Sequence, residues 1–570
     1  MDWTTACPDW ERRLIARESI IPPPIFPDEA ERAVAIFKEL RVTDLPGKPT
    51  FGECSEQWVF DFVAAIFGAY DAETGKQLIR EFFLLISKKN SKSTIAAGIM
   101  LTAVILCWRE EEEHLILAPT KEVADNSFKP AAGMIRADEE LSELFHVQDH
   151  IRTITHRVSR ASLKVVAADT DTVSGKKSGK ILIDEHWVFG KRANAEAMFM
   201  EATGGQVSRD EGWVIILTTQ SDEPPAGVFK EKLQYHRDVR DGKIADRKSL
   251  GVLYEFPAEM VKSKAYLDPA NYYITNPNLG RSVSAEWLED QLTKNRAKTD
   301  GSFQQFIAKH LNIEIGMNLR SDRWAGADFW IGAALPERVS FEDLLDACEV
   351  IAPGVDGGGL DDLLGLAAVG RMRGTRNQLA WAHAWAHPSV LERRKEIAPA
   401  LHDFEKAGDL TIVSRIGEDV VQAAEYVARI ERAGLLYKVG VDPAGIGAIL
   451  DALAAMKVPE DKVIGISQGW KLSGAIKTTE RRIAAASGQR IEGDEAPDGA
   501  LYHGGQPLLT WAVGNARVVP VGNAVNITKQ VSGTAKIDPL MALFNAVSLM
   551  ALNPPAQGQS VYESRGIRFL

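Results

Sequence analysis

The chain has 570 residues, 45% hydrophobic and 25% charged, with a net charge of −12. Its length exceeds what one hydrophobic core organises, so two or more domains are expected. The acidic balance argues against a protein that coats nucleic acid through a broad basic surface, but leaves room for one that touches DNA in a local groove or pore. The four cysteines (Cys7, Cys54, Cys107, Cys348) are scattered without CxxC or metal spacing, which fits a reducing compartment. The N-terminus lacks a basic segment followed by an apolar core, so no secretory signal is expected.

Residues 1–48 are polar and in places Pro-rich, with a helix predicted over 28–40; they read as an N-terminal arm. From 49 to 240, apolar runs alternate with helical patterns. The predicted strands are Phe82–Ile86, His114–Ala118, Leu163–Ala167, Ile181–Asp184 and Trp213–Thr218. Continuous apolar runs of this kind suit a parallel sheet covered on both faces. The apolar run from Ser93 to Trp108 is shorter than the about 20 residues of a membrane span and reads as a buried core helix. Residues 241–345 lose the rhythm and read as a lid and linker. A second α/β domain with a mixed sheet is expected over 346–553, with strands at 350–356, 363–369, 379–385 and 436–442. Residues 554–570 read as a flexible tail.

Ser87-Lys88-Lys89-Asn90-Ser91-Lys92-Ser93-Thr94 lies between a predicted strand and a long helix, as a phosphate loop does, with serines in place of glycines. Lys92 is placed to reach the β and γ phosphates and Ser93 to ligate Mg²⁺. The backbone N–H groups of Lys89 to Ser93 are placed to cradle phosphate, with Lys88 or Lys89 as a second positive contact. Asp184 and Glu185 end an apolar strand. The first acid suits the other side of that metal, and the second suits orienting a water. Thr218 and Thr219 follow another apolar run, where polar groups can sense the γ-phosphate. Gln57 sits where a glutamine would contact adenine. The segment 174–179 is also phosphate-loop-like, but it precedes a strand and reads as a flexible basic loop.

In the second half, Asp356 and Asp442 end apolar strands and Asp538 opens an apolar helix. Three carboxylates at element ends can converge on a pair of divalent metals that cut a phosphodiester, and oxygen ligands select Mg²⁺ or Mn²⁺. Asp361 and Asp362 are nearby alternatives. His383 and His387 share a strand face and are read as packing residues, because no third zinc ligand accompanies them.

With both constellations in place, the chain resembles the large subunit of the tailed-phage terminase. The resemblance rests on the Lys-Asn-Ser-Lys-Ser loop, Leu182-Ile183-Asp184-Glu185, Thr218-Thr219, Asn276-Pro277-Asn278-Leu279-Gly280, Gln468-Gly469 and Lys536-Ile537-Asp538-Pro539-Leu540-Met541, in the family's order over about residues 50 to 550. It implies an N-terminal ASCE P-loop ATPase with a parallel sheet, followed by an RNase H-like α/β nuclease. Carried over, Gln57 and Lys88 to Thr94 bind the nucleotide, Asp184 and Ser93 bind Mg²⁺, and Glu185 activates water. Thr218 and Thr219 couple hydrolysis to motion, and Asp356, Asp442 and Asp538 hold the nuclease metals. ATP-driven packaging of double-stranded DNA into a procapsid, cleavage of concatemers, a homo-oligomeric ring on a portal protein, a small terminase subunit and a host-cytoplasmic site follow from the same resemblance. So does an arginine finger, for which Arg136, Arg152, Arg157 and Arg160 are candidates. Ser91, where glycine is usual, is a departure. The alternatives are a helicase-nuclease of repair or defence, or a non-catalytic assembly protein with a degenerate loop.

Overall fold

The continuous apolar runs become interior strands of two separate sheets. In this computed structural model the described residues are 3–167, 178–192, 195–298, 302–315, 324–443, 447–488, 499–521, 524–528 and 536–556. Much of the basic loop expected at 174–179, the residues 444–446 that follow Asp442 and Pro443, and most of the tail lie outside them. The chain forms two units, Met1–Ile315 and Gly316–Leu570.

The first unit is built on an eight-stranded sheet. From edge to edge its order is Ser249–Leu253, Glu81–Leu85, Trp213–Thr218, Ser178–Ile183, Glu113–Ala118, Ser162–Ala167, Thr153–His156 and Phe145–Gln148. The strands from Ser249–Leu253 through Ser162–Ala167 are parallel, and the last two are antiparallel. Trp213–Thr218 is buried at every position, as a strand covered on both faces must be. Leu85 pairs with Thr218, and Ile183 with Ile216. Three adjacent strands therefore end together, and the segments after them emerge side by side.

The helix after the first of these strands, Lys92–Ile105, is buried along almost its whole length. Residues 1–48, expected as an arm, instead pack into the unit. Helix Pro27–Glu39 buries Phe37 completely, and Phe37 stacks on Phe51 at 4.3 Å between ring centroids. Burying such a ring contributes about 1.5–3 kcal/mol to that packing. Residues 241–345, expected as lid and linker, divide between the units. Ser249–Leu253 joins the sheet, helices Ala285–Arg296 and Ser302–Leu311 belong to the first unit, and the residues from 316 onward belong to the second.

The second unit is built on a seven-stranded mixed sheet. Cys348–Gly357, Leu364–Met372 and Gln378–Ala386 are antiparallel neighbours. Val439–Val441 adds in parallel beside Cys348–Gly357, and Val463–Gly465 beyond it. Leu410–Ile412 and Leu501–His503 both pair in parallel with Gln378–Ala386. Along Cys348–Gly357 the pleat alternates. Val350 and Ala352 join the core under helix Asp538–Met550, while Ile351 and Val355 join the core with helix Glu418–Arg432. Gly354 permits the first packing, because a Cβ there would collide with the Ala542 carbonyl. Among the described residues no helix is long and apolar enough to cross a membrane.

Candidate functional site

In the first unit the phosphate-loop segment and the acidic pair meet. Ser91 precedes helix Lys92–Ile105 in left-handed backbone, φ 58° and ψ 21°. Lys89 (φ 76°) and Glu185 (φ 52°) are left-handed too. The turn at Ser91 starts a helix whose first N–H groups have no intrahelical partner and face outward, as a phosphate cradle requires.

Side chains hold this loop where glycines are missing. Asn90 Nδ2 donates to Ser87 O at 3.0 Å and to Asn276 Oδ1 at 2.8 Å. Asn278 donates from its backbone N to Asn90 Oδ1 and from Nδ2 to Asn90 O, both at 3.0 Å. Trp58 Nε1 donates to Asn278 Oδ1 at 2.8 Å. Ser282 Oγ donates to Lys89 O at 2.7 Å, and Lys88 N to Lys309 O at 2.7 Å. The sequence gives no spacing signal for this clamp, although Asn276-Pro277-Asn278 belongs to the resemblance.

Ser93 Oγ donates to Asp184 Oδ2 at 2.9 Å, and Ser127 Oγ to the same oxygen at 3.3 Å. Lys92 Nζ donates to Glu185 Oε1 at 2.5 Å, and Trp187 Nε1 to Glu185 Oε2 at 2.5 Å. Burial raises the Asp184 pKa above the usual carboxylate range. Burial works the same way on Glu185. The Lys92 charge, with hydrogen bonds from Lys92 and Trp187, outweighs it and holds that carboxyl below its usual range. The oxygens of Ser93 and Asp184 suit a hard divalent cation between them. Thr218 Oγ1 accepts from Trp187 N at 3.1 Å, and Thr218 O accepts from Ile86 N at 3.1 Å, which ties the Thr218-Thr219 turn to both neighbouring strand ends. Thr94 lies in the first turn of the loop helix. Gln57 opens helix Gln57–Phe67, with Nε2 donating to Asp61 Oδ1 at 2.8 Å.

In the second unit the parallel register puts Val355 beside Val441, so Asp356 and Asp442 follow at neighbouring strand ends. Asp442 N donates to Val355 O at 3.3 Å. Both aspartates line one cavity of about 410 Å³ together with Gly357, Gly358, His387 and Asp419. His387, expected on a packed strand face, instead lies just past strand Gln378–Ala386, caps helix Pro388–Arg393 and lines this cavity, and Asp419 carries no sequence signal for this place. Asp538, 2% exposed, is the first residue of its helix and not its cap. A Cβ on Gly357 would lie 3.0 Å from Asp538 Oδ1, so this carboxylate abuts the same strand end. The donor set is all oxygen, which suits Mg²⁺ or Mn²⁺. Among the described residues, no three His, Cys, Asp or Glu side chains are grouped closely enough to hold a metal as they stand.

The alternatives beside this centre are held by cations. Arg394 Nη2 donates to Asp361 Oδ2 at 2.8 Å, and Lys536 Nζ to Asp362 Oδ1 at 2.6 Å. His383 is buried on the strand face against Trp381, with Nε2 2.9 Å from Thr411 Oγ1, and burial pushes its imidazole down to about 4.

Two family models match the chain. One, described as terminase large subunit, ATPase domain, matches residues 58–237, and one described as terminase large subunit, endonuclease domain, matches residues 251–553. Among solved structures the chain is similar to the large terminase of bacteriophage HK97, at 20% identity over 91% of this chain and 99% of that one, with a TM-score of 0.44. It is also similar to the large terminase of a thermophilic bacteriophage in complex with ADP, at 12% identity over 82% of this chain and 94% of that one, with a TM-score of 0.29. A third is the large terminase nuclease of the thermophilic phage G20c, at 15% identity over 40% of this chain and 96% of that one, with a TM-score of 0.25. No curated protein matches the chain.

Proposed function

Because the chain belongs to the terminase large subunit family and is a DNA-packaging ATPase and endonuclease, we propose that Lys92, Ser93, Asp184 and Glu185 carry its ATP hydrolysis and that Asp356, Asp442 and Asp538 carry its DNA cleavage. The observation that supports this most is the pair of contacts Lys92–Glu185 and Ser93–Asp184, which join the phosphate loop to the acidic strand end.

Nucleotide and divalent metal use come with the two domains. Mg²⁺ beside Ser93 and Asp184, and Mg²⁺ or Mn²⁺ beside Asp356, Asp442 and Asp538, is our assignment from the oxygen donors. A divalent cation at either place supplies charge neutralisation at the reacting phosphate. The remaining work falls to the chain. Lys92 turns from Glu185 to the β and γ phosphates of ATP, and Glu185 is then left to orient a water and take its proton. Lys88, Lys89, the backbone from Asn90 to Ser93 and Thr94 surround the phosphates, and Gln57 faces the adenine. Thr218, hydrogen-bonded to both neighbouring strand ends, and Thr219 next to it register loss of the γ-phosphate.

In this reading a homo-oligomeric ring of the chain sits on a portal protein in the host cytoplasm. It receives double-stranded DNA with a small terminase subunit, drives it into a procapsid and cuts the concatemer. Arg157 and Arg160 are exposed and suit an arginine finger offered to a neighbour, whereas Arg136 and Arg152 pair with Asp149 and Asp125. No observation favours a helicase-nuclease or an idle assembly protein. The test is ATPase activity and Mn²⁺-dependent plasmid cleavage on one preparation. Glu185→Gln silences the first only and Asp356→Ala the second only. Normal ATP turnover by Glu185→Gln refutes the assignment of the ATP site.

A further inference from the structure

Trp187 touches more of the ATP site than its place in the sequence suggests. Its indole Nε1 donates to Glu185 Oε2 at 2.5 Å, and its backbone N donates to Thr218 Oγ1 at 3.1 Å. Lys309 Nζ stands 2.8 Å from the centre of its ring. Lys309 belongs to helix Ser302–Leu311 near the end of the first unit. Its Nζ donates to Gln220 O at 2.9 Å, beside the Thr218-Thr219 turn, and its carbonyl accepts from Lys88 N at 2.7 Å. Trp187 and Lys309, the latter through both its ammonium and its carbonyl, thus join the acidic strand end, the threonine turn, the phosphate loop and this helix.

Glu185 has two donors, Lys92 and Trp187. Lys92 is also the charge aimed at the phosphates, so a γ-phosphate competes with Glu185 for the ammonium that stands 2.5 Å from it in this structure. When phosphate takes Lys92, the Trp187 N–H remains on the carboxylate. A neutral donor fixes the orientation of the carboxylate without neutralising it, which a water-activating base needs. Lys309 in turn holds the ring. Burial pushes this lysine down to about 7, against the pull of Asp222 and Glu185 and with the push of Lys191 and Lys88. The π-face of the indole compensates a cation that has lost its water.

We propose that Trp187, seated on Lys309, is the positioning residue for the water-activating carboxylate in ATP hydrolysis, and that through Lys309 it ties the position of that carboxylate to helix Ser302–Leu311. The inference rests on Glu185 being that carboxylate.

The test uses the full chain. It compares steady-state ATPase kinetics, binding of a non-hydrolysable ATP analogue, thermal melting and single turnover of radiolabelled ATP. Trp187→Phe keeps a ring over Lys309 and removes the N–H. It lowers kcat about tenfold, the loss of one charge-assisted hydrogen bond. KM, analogue affinity and melting temperature hold. Lys309→Met probes the same link from the other side and lowers kcat by about threefold without weakening analogue binding. In a Glu185→Gln background, Trp187→Phe causes no further loss, because residues that act as a unit are not additive. Parent-like kcat in Trp187→Phe overturns the proposal. So does a tenfold loss that persists in the Glu185→Gln background, or one matched by weaker analogue binding and a lower melting temperature. A Glu185→Gln enzyme that turns over normally refutes instead the assignment of Glu185, and is told apart by that variant alone.

Discussion

Both proposed centres turn the chain through left-handed backbone beside a carboxylate, but with different residues. In the first unit Lys89, Ser91 and Glu185 have φ of 76°, 58° and 52°. In the second, Gly357, Gly358 and Gly359 have φ of 81°, 107° and 122°. Angles near 50–70° lie in the small left-handed region that an L-residue enters at modest cost, whereas angles beyond 100° are essentially reserved for glycine. The phosphate loop can therefore dispense with glycine and the nuclease turn cannot. The acids differ in the same spirit. Asp184 is buried and Glu185 half-buried, and Ser93 and Lys92 engage them, so ligand must exchange those contacts. Asp356 and Asp442 line an open cavity and owe their closeness to strand register. One centre is held by side chains and the other by backbone.

The largest expected effects come from removing a reacting carboxylate, and they separate the two centres. Glu185→Gln lowers ATP turnover by at least about a hundredfold, the usual worth of a general base. Binding of a fluorescent ATP analogue persists and plasmid cleavage is untouched. Asp356→Ala, Asp442→Ala and Asp538→Ala each abolish cleavage in an Mn²⁺ plasmid assay and spare ATPase activity. Under the proposed assignment their oxygens form one metal-binding set, and the proposed ATP site lies in the other unit. Asp362→Ala is the informative companion. Lys536 already occupies Asp362, so cleavage by Asp442→Ala alongside an inactive Asp362→Ala would exchange the two in the ligand set.

The next effect probes the backbone-held centre. Gly357→Ala puts a Cβ into the Leu363 carbonyl and within 3.0 Å of Asp538 Oδ1, at a φ of 81°. Cleavage falls by at least about tenfold and the second unit loses on the order of 1–3 kcal/mol. ATPase activity stays at the parental level. Denaturation followed separately from cleavage distinguishes a displaced Asp538 from an unfolded domain.

Much of this was readable in the chain, for reasons tied to single elements. Trp213–Thr218 is apolar at all but its last position and stands out. The Asp184-Glu185 pair is legible because a buried strand ends abruptly in charge. Phe145–Gln148 and Thr153–His156 escaped because the antiparallel strands at this end of the sheet mix polar and apolar residues. Ser249–Leu253 escaped because Gly251 breaks a short run that follows a charged stretch. The N-terminal residues looked like an arm because their polar face dominates the count, while a few buried residues, Phe37 foremost, carry the docking. Asn276-Pro277-Asn278 carries part of the resemblance, but its clamp on Asn90 and the Trp187–Lys309 contact have no local signal in the chain. Asn90 and Asn276 are 186 residues apart, and nothing local announces such a pair.

The smallest expected effect tests the comparison most directly, at Ser91. If the backbone angle is what the phosphate loop needs, Ser91→Gly keeps the cradle and relieves the steric cost of a Cβ at φ 58°. Glycine also widens the conformational freedom of the unfolded chain, which offsets part of that relief. The balance is a gain of about 1 kcal/mol or less, read as a rise of about 2 °C in the melting of the first unit. ATP turnover changes by less than about threefold, because the N–H groups that face phosphate keep their positions. Ser91→Val makes the contrast. A β-branched residue at this φ is a true outlier, so nucleotide binding and melting temperature fall together. A tenfold faster enzyme from Ser91→Gly would mean that the serine side chain, and not the left-handed turn it adopts, sets the rate. The two centres would then differ in chemistry at that position and not only in which residues can bear the same backbone.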